Sequence, residues 1–151
     1  MIGFSQGRAA AEVAQLPSRA EVERATVSSA QILFWVGAHL QQPHLDQRHM
    51  MSVVGPSKSD LEALLSVCEE TDGSPICIAV FMSPTEHTVA GNPTALKALQ
   101  QLINDELPGA RTKSLGVTAP FHHPQLNKLK YDSIVQTLEC EGLLQGTEIC
   151  L

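Results

Sequence analysis

The sequence predicts an α/β fold. Three observations carry that expectation. Between residues 50 and 118, short apolar runs of strand length alternate with segments of helical period. Ahead of them, up to about residue 42, stand segments with helical spacing only. Finally, 43% of the 151 residues are hydrophobic and 17% are charged. That composition supplies a core for one domain, or one domain with a small subdomain, and argues against wholesale disorder.

The elements follow in order. Ala9, Ala10, Ala11, Val13 and Ala14 predict a short helix, which Pro17 ends. Ser18 with Glu21 reads as a capping box for a second helix. Its positions Val22, Ala25, Ser29, Ile32, Leu33, Val36 and Leu40 keep helical spacing, and Gln41-Gln42-Pro43-His44 ends it. Met51 to Val54 reads as a short strand and Gly55-Pro56 as a turn. Ser59 and Glu62 read as a second capping box, with Leu61, Leu64, Leu65 and Cys68 marking one helix face. Thr71 to Pro75 is a predicted loop. Ile76 to Met82 and His87 to Ala90 are predicted strands joined at Ser83-Pro84. Asn92-Pro93 opens another helix, faced by Leu96, Leu99, Leu102 and Ile103 and broken at Pro108-Gly109. Arg111 to Thr118 is the last predicted strand, and a helix is expected from Leu126. Strand, helix, strand, strand, helix, strand is the split βαβ order of a ferredoxin-like unit.

Charge and composition exclude several functions. The net charge of -6 and the lack of a basic stripe argue against nucleic-acid binding. No apolar run reaches the roughly 18 residues of a membrane span, and no signal-peptide pattern is visible at Met1-Ile2-Gly3. A soluble, cytoplasmic protein is expected. Cys68, Cys77, Cys140 and Cys150 form no CxxC pair and read as reduced, small hydrophobic residues. His39, His44 and His49 recur every five residues, which is not a metal-ligand spacing, so a surface or capping role is expected and no metal. Glu69-Glu70-Thr71-Asp72 reads as a solvated helix end.

Chemistry points to residues 3–7. Gly3-Phe4-Ser5-Gln6-Gly7 matches the GxSxG nucleophile elbow, followed at once by helix-forming sequence. In such an elbow the serine sits on a tight strand-to-helix turn, and the flanking glycines leave room for it. The N–H of the next residue, Gln6, then faces a developing oxyanion at the helix N-terminus. The motif alone is also compatible with a surface turn, since the chain holds ten glycines. Likewise, by itself, His122 reads first as an ordinary loop histidine.

A family resemblance connects these pieces. Gly-Phe-Ser-Gln-Gly, its alanine-rich helix and Gln31-Ile32-Leu33-Phe34-Trp35-Val36-Gly37 resemble the nucleophile region of malonyl-transacylase-like enzymes. Ser83-Pro84, Val89-Ala90-Gly91 and Ala95-Leu96 resemble that family's small-subdomain strand pair and following helix. Ala119-Pro120-Phe121-His122-His123-Pro124-Gln125-Leu126 resembles its catalytic-histidine segment, with His123 where the family puts a small residue. Phe4 and the Pro-Phe-His-His-Pro run are most similar to the starter-unit acyl-carrier-protein transacylase (SAT) domain of fungal polyketide synthases. Many members of that branch carry cysteine at the nucleophile position, where this chain has Ser5.

The resemblance implies a fold and a mechanism. The fold is part of an α/β-hydrolase-like acyltransferase large subdomain with an inserted ferredoxin-like (βαββαβ) small subdomain. Residues 1–49 would be the N-terminal fragment of the large subdomain, 50–121 the small subdomain, and 122–151 a truncated return segment. Ser5 would be the nucleophile, His122 its base, and the Gln6 N–H an oxyanion donor. A backbone carbonyl rather than an acid would orient His122. The substrate would be an acyl-CoA or phosphopantetheine thioester, with no bound cofactor. The partners would be an acyl carrier protein and other domains of a polyketide synthase.

Malonyl-specific relatives carry an arginine on the second helix for the free carboxylate, and here that place falls near Trp35 or Val36. Malonyl is therefore not the expected acyl group. Trp35, Val36 and Phe121 are the candidate acyl-binding residues. Core packing fits Trp35 equally, and Phe121 either packs under the base or faces the acyl chain. The chain starts almost at the elbow, without the upstream loop that supplies the second oxyanion donor, so weak or no activity in isolation is expected. Two other functions remain open at this point. One is a non-catalytic fragment of such a domain. The other is a GxSxG serine esterase, which would need a triad acid before the histidine and no ferredoxin-like insert.

Overall fold

The computed structural model of the protein describes residues 6–40 and 47–143. Ser5, the stub Met1-Ile2 and His44 lie outside them. The chain divides into two compact units, residues 1–39 with 132–150 and residues 40–131 with 151.

The first unit holds α1 (Gln6–Val13) and α2 (Arg19–Leu40). The Glu21 N–H donates to Ser18 Oγ at 3.3 Å, as a capping box requires. The reciprocal half differs, because the Ser18 hydroxyl itself donates to the Glu21 carboxylate at 2.6 Å. Val36 is buried on α2. Leu33, expected on the same face, is 40% exposed and Phe34 beside it 66%. Helical geometry turns both away from the line through Ile32 and Val36. The later half of α5 (Pro124–Cys140) completes this unit and buries Ile134 and Leu138.

The second unit is built on β1 (Met50–Val54), α3 (Lys58–Asp72), β2 (Ile76–Ser83), β3 (Glu86–Gly91), α4 (Pro93–Glu106) and β4 (Arg111–Ser114). The strands form one antiparallel sheet in the order β2-β3-β1-β4. Two consequences of the chain order explain it. The two-residue connection makes β2 and β3 a hairpin, and each helix carries the chain across to a non-adjacent strand. Alternation then sends Met51, Val53 and Val89 to one face. Leu61, Leu65 and Cys68 of α3 and Ala95, Leu96, Leu99 and Ile103 of α4 cover that face. Val53, Leu61, Leu99 and Ile103 are fully buried there. Burying such side chains contributes about 1.5–3 kcal/mol each.

Three boundaries correct the sequence reading. The cap of α3 is Ser57 with Asp60, not Ser59 with Glu62. An N-cap needs extended backbone, and Ser57 has it (φ -68, ψ 165), whereas Ser59 is already inside the helix. Glu62 instead pairs with Lys58 one turn back at 3.5 Å. The helix runs to Asp72, so the loop expected from Thr71 begins at Gly73, whose left-handed φ of 64 ends the helix. Strand β4 stops at Ser114 instead of Thr118. A bend at Gly116 interrupts the ladder, though Leu115 N–H still reaches the Met50 carbonyl (2.9 Å) and His49 N–H that of Val117 (3.1 Å).

Gly91 is required where β3 meets the start of β2. A Cβ there would lie 2.9 Å from Ile76 Cγ1 and 3.1 Å from the Pro75 carbonyl oxygen. Among the described residues no helix is long and apolar enough to cross a membrane.

Candidate functional site

Helix α1 begins at Gln6. Its backbone N–H therefore lies in the first turn, where N–H groups have no intrahelical carbonyl. That is the position an oxyanion donor needs, one residue after Ser5, which itself lies outside the described residues.

Trp35 is half-buried on α2, edge-on to Phe34 at 5.4 Å and tilted against His39 at 6.3 Å. His39 is half-buried in the last turn of α2. Its Nε2 lies 2.9 Å from Thr137 Oγ1 and its Nδ1 3.2 Å from Ser133 Oγ, both on α5. The Thr137 hydroxyl donates its one hydrogen to the Ser133 carbonyl at 3.0 Å. It can then only accept from the imidazole, so Nε2 carries a proton. His39 thus links α2 to α5 within the first unit.

In the second unit, Pro120-Phe121-His122-His123 forms a turn closed by the His123 N–H donating to the Pro120 carbonyl at 3.3 Å. His122 occupies its third position with φ 60, as a type II turn requires. It is the one non-glycine residue with positive φ among the described residues. Such backbone is costly for a residue with a Cβ and concentrates at functional sites. Pro120 and His123 are buried, Phe121 is half-buried, and His122 is exposed. The turn therefore presents the His122 imidazole to solvent just ahead of α5.

His123 was visible in the sequence only as a histidine where a small residue was expected. It is 1% exposed and hydrogen-bonded to the Pro75 carbonyl. Burial depresses its pKa, while the bonds to Pro75 and to its own backbone and the Glu69 carboxylate oppose that shift. His49 corrects its expected surface role, being 6% exposed. Its backbone lies between Gly91 and Val117, which draws the side chain inward. Nδ1 donates to the Gly91 carbonyl at 3.2 Å, and Nε2 is buried without a hydrogen-bond partner. Burial lowers the His49 pKa, with the Gly91 bond opposing.

Cys68, Cys77 and Cys140 form no disulfide. Burial, and then the Glu69 carboxylate, push the Cys77 thiol up to about 11. It therefore stays protonated at neutral pH and is no nucleophile. Among the described residues no group of His, Cys, Asp and Glu is arranged to hold a metal ion.

Known proteins resemble this chain along most of its length. The model of a family described as "Starter unit:ACP transacylase in aflatoxin biosynthesis" matches residues 1–122, a span that takes in both Ser5 and His122. The non-reducing polyketide synthase sor2 of Hypocrea jecorina (strain QM6a) is 34% identical over 87 residues, which is 57% of this chain and 3% of that protein. A malonyl CoA-acyl carrier protein transacylase from Clostridium perfringens shares the fold, with a TM-score of 0.63 at 18% identity. That match covers 87% of this chain and 39% of the other. An acyl carrier protein S-malonyltransferase from Vibrio cholerae gives a TM-score of 0.61 at 22% identity, over 74% of this chain and 35% of its own. The chain thus spans less than two fifths of the length of these structures.

Proposed function

The chain belongs to the starter unit:ACP transacylase family, and on that premise we propose that it carries the nucleophile and base of an acyl transfer in polyketide biosynthesis. His122 takes the Ser5 proton as the Ser5 oxygen attacks the thioester carbonyl of an acyl-CoA or acyl carrier. The tetrahedral oxyanion rests on the Gln6 N–H and a second donor. The thiolate leaves with the proton from His122, and an acyl-serine remains. His122 then deprotonates the phosphopantetheine thiol of an acyl carrier protein, whose sulfur takes the acyl group and returns the Ser5 hydroxyl. The thioesters are substrates, and no bound cofactor takes part.

The observation that carries this reading is the His122 turn, which holds an exposed imidazole in left-handed backbone between buried neighbours. The start of α1 at Gln6 supports the elbow on the other side. An acyl carrier protein as partner accords with the neighbouring malonyl-transacylase solved together with a type II polyketide synthase acyl-carrier protein. Specificity rests on α2, where Trp35 and Val36 offer no cation for a malonyl carboxylate. Together with Phe121 they suit an uncharged starter acyl chain.

The test is acylation of the full chain by hexanoyl-, acetyl- and malonyl-CoA, followed by intact mass. The expected result is one adduct, absent in Ser5→Ala, formed about 10²–10⁴-fold more slowly in His122→Ala, and slowest with malonyl-CoA. An adduct that persists in Ser5→Ala, or one formed as fast in His122→Ala, would sink the reading, and no adduct at all would leave a non-catalytic segment of such a domain. Fastest labelling by malonyl-CoA would overturn the specificity alone.

A further inference from the structure

A left-handed residue with a Cβ relaxes to negative φ unless its surroundings hold it there. The chain around His122 is held on both sides. Upstream, Ala119 is 4% exposed and Pro120 is fully buried. The Phe121 N–H donates to the Ala119 carbonyl at 3.0 Å. Downstream, His123 is buried, and its main-chain N–H closes the turn on Pro120. Only Phe121 and His122 lie between these anchors. We infer that His123 is the positioning residue for His122: its buried imidazole ties the turn to the sheet through the Pro75 carbonyl and so aims its neighbour. The role assigned to His122 under the proposed function is the premise of this step.

The tie is chemically defined. A carbonyl only accepts, so the His123 ring donates to Pro75. Pro75 is itself fixed, because Ile76 pairs with Gly91 and the Pro75 carbonyl crowds the Gly91 Cα so closely that no Cβ fits. The tether therefore ends on the rigid start of β2. A small residue at position 123 offers no donor and leaves a buried gap. This histidine is a feature of this chain and not of the family pattern, which carries a small residue there. It acts through His122 and is not itself a catalytic residue.

The test compares His123→Phe, which keeps the bulk without the donor, with His123→Asn and His123→Gln, whose amide N–H groups reach about as far as the two ring nitrogens. Two readouts apply to the full chain. The first is the NMR intraresidue NOE between the His122 amide proton and Hα, strong for left-handed backbone. The second is acyl-transfer kinetics. The Phe variant should weaken the NOE and lower kcat by about 10- to 100-fold, since misplacement near 1 Å costs about that much. KM for the acyl-CoA should stay unchanged. Asn or Gln should restore both. An unaltered NOE and kcat in a folded Phe variant overturns the inference, and so does failure of both amides to rescue. If the Phe variant does not fold, the amides decide: a strong NOE in at least one supports the tie, and loss in both refutes it. If His122→Ala leaves the rate intact, the base assignment fails and the NOE alone judges the positioning.

Discussion

Single atoms set the tolerances of the second unit. Gly91 leaves no space for a methyl group between Ile76 and the Pro75 carbonyl. Gly91→Ala should therefore shift β2 away from β3 and destabilise the unit by about 1–3 kcal/mol, the usual range for overpacking. Thermal melting followed by circular dichroism checks this, and an unchanged midpoint would show that the strand ends yield freely. His122 and His123 divide two tasks between adjacent positions. One is exposed in a left-handed turn and the other is buried against Pro75. Sequence could name His122 because its surrounding run resembles a family segment. It could not assign His123 a task, because burial and a carbonyl partner arise only when residue 75 comes close.

Each helix of the second unit is bounded by its own chemistry. Asn92 accepts from the Thr94 N–H at 3.1 Å, and Pro93 sits where no N–H is needed. Ser57 and Asp60 satisfy each other's backbone N–H groups. Ser57→Ala should cost about 0.5–2 kcal/mol. Ser59→Ala, at an exposed position already inside the helix, should stay within about 0.5 kcal/mol. Urea titration of the two variants separates them, and equal losses would contradict the observed cap. The misplacement by two residues has a plain cause. The run from Ser57 to Glu62 offers two serines, each with an acid three residues on, and only backbone direction chooses between them. Strand β4 ends before Thr118 because a bend at Gly116 interrupts its pairing with β1, and where a ladder breaks depends on the partner strand as well as on the residues themselves.

The fold as a whole buries two histidines with depressed pKa values, His49 and His123. Unfolded, each titrates near about 6.5. Between that value and the lower folded one, the unfolded chain binds more protons, so stability rises with pH across this window. Stability should hold above about pH 6.5 and fall as the pH drops below it, before most carboxylates titrate. Urea midpoints between pH 5 and 7.5 test this. A flat profile would mean that both imidazoles escape burial or stay neutral at no cost. The Glu69 carboxylate opposes part of the loss at His123.

What the sequence determined by itself was the order and type of the elements and the identity of the family. The β-α-β-β-α-β run from 50 to 114 follows from periodicity, Gly and Pro punctuation and caps, which are local properties. Family membership follows from motifs in the right order, and the match over 1–122 agrees. Tertiary structure alone decided the pairing of distant residues. It buried His49 and His123, made His39 a strut between α2 and α5, and gave His122 its left-handed turn. The reason is physical: secondary structure answers to neighbours within a few residues, whereas burial, hydrogen-bond partners and strain answer to whatever the folded chain brings alongside.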